Sequence, residues 1–114
     1  MMLGTCSKER VDARLVRNYF LALVDGFFKI LPMKEADEST LPVYMRSLQI
    51  SMLGCKELVS AIHYDAEYLS LLSILQYLID NPSCEPHEVK REIFKAISIC
   101  KKLAQRYTES RVTR

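Results

Sequence analysis

The sequence predicts an all-α protein, an antiparallel up-down four-helix bundle, on three observations. Glycine and proline are scarce, three and four in 114 residues, whereas an all-β chain spends more of both on turns. Apolar residues make up 49% of the chain and recur every third or fourth position in four separate segments. Short polar or proline-bearing stretches divide those segments, as they do between neighbouring antiparallel helices. The reading is one domain over 1–114, with helices at about 7–30, 40–62, 66–79 and 84–107 and a basic tail at 108–114.

The first helix is expected to open at Ser7 as N-cap and to run on a stripe of Val11, Leu15, Tyr19, Phe20, Leu23, Val24, Phe27 and Leu31. Pro32 is expected to end it, because the residue before a proline resists the α conformation. After the polar stretch 33–39, Ser39 or Thr40 caps the second helix, with Pro42 tolerated in its first turn. Its stripe is Tyr44 or Met45, Leu48, Met52, Cys55, Val59 and Ile62.

His63-Tyr64-Asp65 interrupts the pattern, and Asp65 is placed to cap the third helix. That helix reads as apolar nearly all round, with only Ser70, Ser73 and Gln76 polar in its interior. A helix without a wet face is central or covered by another chain. The expectation is therefore self-association through Tyr68, Leu72 and Leu75. Asn81-Pro82-Ser83 turns the chain into the fourth helix, whose stripe is Val89, Ile93, Ala96, Ile97, Cys100, Leu103, Ala104 and Tyr107.

Net charge is +2, so the distribution of charge matters more than its sum. Arg91, Lys95, Lys102 and Arg106 share one face of the fourth helix, and Arg10, Arg14 and Arg17 share one face of the first. In an up-down bundle Arg10, Arg14 and Arg17 would meet Lys101, Lys102 and Arg106 at one pole. Glu35, Asp37, Glu38, Asp80, Glu85 and Glu88 would gather at the other. The helix dipole accounts for cations at a C-terminus, but not for arginines in the opening turns of helix one. That basic pole is the candidate surface for an acidic partner, nucleic acid among them.

Catalytic and metal-binding patterns are sparse. Cys84 opens a helix with His87 three residues on, but Glu85 and Glu88 oppose a thiolate there. The histidines His63 and His87 lie in different loops, and Cys6, Cys55, Cys84 and Cys100 form no CxxC pair, so neither metal nor cofactor is expected and the cysteines read as free thiols. No targeting pattern precedes the first charged residues and no apolar run reaches the roughly 20 residues of a membrane span, so a cytoplasmic protein without membrane contact is expected. The functional expectation is a non-enzymatic protein-interaction module of regulatory, adaptor or immunity type, able to form a homodimer. The alternative is a sequence-tolerant nucleic-acid binder that uses the basic pole.

Overall fold

The computed structural model describes residues 13–58 and 60–112, and every regular element among them is helical. Four helices are long: α1 (Ala13–Phe28), α3 (Leu41–Leu58), α5 (Ala66–Asp80) and α6 (Pro86–Val112). Two are short: α2 (Ile30–Glu35) and α4 (Ser60–His63).

The first stripe buries Val16, Phe20, Leu23, Phe27 and Ile30, a run of fours and threes that carries across the break at Lys29. Leu15, expected on that stripe, is 62% exposed because Val16 takes the inward position beside it. Pro32 does not end the helix as expected. The chain breaks three residues earlier and restarts at Ile30, so Pro32 falls in the first turn of α2. An N–H there would have no partner within the helix, so the proline costs nothing.

The end of α2 explains the loop that follows. Asp37 has φ 54°, its N–H donates to the Lys34 carbonyl at 3.0 Å, and the Glu38 N–H donates to the Met33 carbonyl at 3.0 Å. This pair of bonds is a Schellman stop, with aspartate in the left-handed position that glycine usually takes. α3 then starts at Leu41 with Pro42 in its first turn, as expected, and the Tyr44 N–H bonds to the Thr40 carbonyl at 2.9 Å. Asp65 caps α5, also as expected: its carboxylate accepts from the N–H groups of Glu67 and Tyr68 at 2.9 and 3.0 Å. α6 begins at Pro86, two residues later than expected, and Glu88 reaches back to accept from the Glu85 N–H at 3.3 Å. It continues to Val112, so the segment read as a tail is helical for most of its length.

Aromatic rings set the direction of the two outermost helices. Phe20 packs on Tyr107 at 5.8 Å between centroids, and Phe28 meets Phe94 edge-on at 6.1 Å, so α1 and α6 run oppositely. Likewise the Met52–Tyr68 and Gln49–Gln76 hydrogen bonds run α3 against α5 in opposite senses. The stripe expected on α6 is buried or half-buried throughout. The third helix departs from its reading, because it turns one face inward, through Tyr68, Leu71, Leu75 and Leu78, and leaves Leu69 and Tyr77 exposed.

Gly26 and Gly54 both fall inside helices, where glycine costs about 1 kcal/mol against alanine and a close helix approach would account for it. Gly26 fits: its carbonyl accepts from the Tyr44 hydroxyl at 2.7 Å, and a Cβ there would lie 3.4 Å from Leu48. Gly54 does not, since a Cβ would meet nothing within 4 Å.

Candidate functional site

Two cations expected of the basic pole, Lys102 and Arg106, lie where the end of α6 meets the start of α5, and that surface is not purely basic. Asp65, already spent as the α5 cap, turns its second carboxylate oxygen to Arg106. Arg106 also grips Glu67 through its other terminal nitrogen, and Lys102 approaches Glu67 at 3.3 Å. Two of the expected binding cations are thus matched by two carboxylates of the same molecule. The missed partners had a legible signal. An acidic residue at the cap and another in the first turn are what a helix N-terminus favours, and α5 starts where α6 ends. Lys101 is exposed, Arg14 is exposed and already engaged in a contact, Arg17 is half-buried, and Arg10 lies outside the described residues.

Beneath this contact lies a polar chain in the core. The Tyr68 hydroxyl donates to the Met52 carbonyl at 2.7 Å. Its single proton is thereby used, so the Tyr19 hydroxyl, 2.9 Å away, donates to Tyr68. Burial pushes both phenols well above their ordinary range. Cys55 lies beside both hydroxyls, and burial likewise raises its thiol. Such groups stay protonated and hold structure.

Cys84 and His87 do not make a nucleophile pair. Cys84 is buried and its thiol donates to Glu88 at 3.2 Å, while His87 is exposed. Burial and that carboxylate both raise the thiol, opposite to what an attacking thiolate needs. Cys55, Cys84 and Cys100 are free thiols, and among the described residues no three His, Cys, Asp or Glu side chains cluster as metal ligands. No described helix is long and apolar enough to cross a membrane.

Of the expected self-association residues, Tyr68 and Leu75 are fully buried and Leu72 is half-buried. The surface drawn through those three residues is therefore corrected: they face the protomer's own core, because α1, α3 and α6 consume that side of α5. The apolar groups that do reach the surface include Val43, Ile50 and Leu53 on α3 and Leu69 and Tyr77 on α5.

Comparison adds no relative. No family model, curated protein or solved structure matches the chain. The functional reading therefore rests on the surface chemistry alone. Its most ordered feature is on α3, where Arg46, Ile50, Leu53 and Glu57 step by four, three and four and share a sector of about 60°. Ile50 is 62% and Leu53 44% exposed, and both charged residues are exposed.

Proposed function

We propose that the chain is a small protein-interaction module, an up-down four-helix bundle that docks through the outer stripe of α3 and forms a homodimer by it. The supporting observation is the internal symmetry of that stripe. Ile50 and Leu53 stand symmetrically about its midpoint, and so do Arg46 and Glu57. A second copy laid antiparallel across a twofold axis therefore sets Ile50 on Leu53 and Arg46 on Glu57, each contact occurring twice. Ser47, Ser51 and Gly54, exposed on the outer half of the same helix, leave one flank of the stripe without bulky side chains. Leu69, which follows the Tyr68 that bonds to Met52, is exposed as well and adds apolar surface to the same pair of helices.

The nucleic-acid reading has less support, since Arg106 and Lys102 are already held by Asp65 and Glu67. Phosphate binding by them would first have to break those pairs.

Sedimentation equilibrium of the wild type, Arg46→Glu, Glu57→Arg and the double variant tests the proposal. A concentration-dependent dimer is expected, weakened by each single swap and restored by the double swap. A monomer across the micromolar range, or no rescue in the double variant, overturns the antiparallel dimer. A dimer that persists in Ile50→Asp would place the contact elsewhere on the molecule.

A further inference from the structure

At the far end from Arg106, the helices part around a cavity of about 330 Å³. Its floor is apolar, made by Ile30, Leu41, Met45, Leu78 and Val89 from four different helices. The volume falls within the range of about 300–1,000 Å³ typical of small-molecule sites. The mouth lies between the α2–α3 loop and the Asn81–Pro82 turn, and Lys34 bridges the two by donating to the Pro82 carbonyl at 2.9 Å.

The sign of charge around that mouth is decided by several residues. Asp37 and Glu38 line it, and Lys34 is the one lining cation, its ammonium already directed at a carbonyl. Asp37 is held in the left-handed conformation by the two Schellman bonds, which fix the backbone that carries its carboxylate.

We propose that this cavity binds a small amphipathic amine, with its apolar body on Met45 and Leu78 and its ammonium at Asp37 and Glu38. A carboxylate ligand of the same shape meets the wrong charge at the mouth. An uncharged one gains only the floor. The site is separate from the α3 stripe, so it stands whether or not the protein dimerises there.

The test is a titration of the full chain with octylammonium, octanol and octanoate, following the Met45 and Leu78 methyl resonances. Saturable shifts at these methyls are expected, with affinity falling in the order octylammonium, octanol, octanoate. Asp37→Asn with Glu38→Gln leaves the cavity intact and is expected to weaken octylammonium about threefold or more while leaving octanol unchanged. Equal or tighter octanoate binding overturns the proposal. So does an octylammonium affinity that ignores the two carboxylates, or the absence of saturable shifts at the floor.

Discussion

Tyr68 reaches from α5 to the Met52 carbonyl in the middle of α3 and bonds to it at 2.7 Å, with its ring fully buried. A carbonyl within a helix already accepts one bond from its own ladder, so this second bond ties two helices at a fixed register. Removing the hydroxyl also takes away the acceptor that the Tyr19 hydroxyl meets at 2.9 Å. Tyr68→Phe is expected to lower stability by about 1–3 kcal/mol with little change in shape. Urea unfolding followed by circular dichroism measures it. A variant as stable as the wild type would mean the chain of hydroxyls holds nothing.

Why the sequence announced some of this and not the rest follows from what each signal encodes. Period alone specified α6, because every inward position from Val89 to Tyr107 is apolar and the opposite face is charged. It failed on α5, where Leu69 and Tyr77 are as apolar as the buried Leu71 and Leu78, so no contrast marks the inner face. In α1 the doublet Leu15-Val16 offered two candidates for one inward position, and only packing chose Val16. At the end of α6 the sequence marks the cations Lys102 and Arg106, but not the acids of α5 that hold them. Asp65 was read as a cap, and a cap with a spare oxygen is also an ion-pair partner. The symmetric stripe of α3 was written in the sequence and hidden by the stronger inward stripe on the same helix.

That double use of Asp65 separates cleanly by mutation. Asp65→Asn keeps an acceptor for the Glu67 and Tyr68 N–H groups and loses only the charge facing Arg106. Because Arg106 remains partly exposed, the cost is expected to stay below about 1 kcal/mol. Asp65→Ala loses the cap too, for a total of about 1–2 kcal/mol. Thermal melts in low and high salt distinguish the two, since salt screens the ion pair and leaves the cap untouched.

Gly54 is the position where the fold tolerates improvement. It is helical and exposed, and an added methyl meets nothing within 4 Å. Gly54→Ala is expected to stabilise the protomer by up to about 1 kcal/mol. Gly26→Ala gains less, since its methyl would arrive 3.4 Å from Leu48 on the neighbouring helix. Melting temperatures measured in dilute solution rank the pair, and Gly26→Ala exceeding Gly54→Ala would contradict the packing described.

Alkaline pH is expected to unfold the protein cooperatively. Burial raises Tyr19, Tyr44, Tyr68 and Tyr107 above 10.0, raises Cys55 above 9.0, and pushes Cys100 up to about 12. A raised folded value means the contribution is complete below the unfolded value and is lost above it, because the unfolded chain releases protons that the fold retains. For Cys100 the loss runs from 9.0 to about 12. The tyrosinate absorbance of these four phenols should therefore appear together with loss of helix, in one transition. Ionisation of these buried phenols while helicity is unchanged would mean that the core admits water.

Asp37 provides the most direct test of whether the end of α2 trades stability for a carboxylate. Its φ of 54° suits glycine, and an L-residue there carries a steric cost of about 1 kcal/mol, eased for aspartate by its short polar side chain. Asp37→Gly is accordingly expected to raise stability by about 0.5–1 kcal/mol, and Asp37→Ala to lower it, though both remove the same charge. Opposite signs in chemical denaturation assign the effect to the backbone. If both variants instead stabilise the protein equally, the gain comes from relieving repulsion with Glu38 and the neighbouring acids, and the left-handed residue carries no strain. If Asp37→Gly is more stable yet loses the preference for octylammonium over octanol, the aspartate is retained at a glycine position for its charge at the cavity mouth.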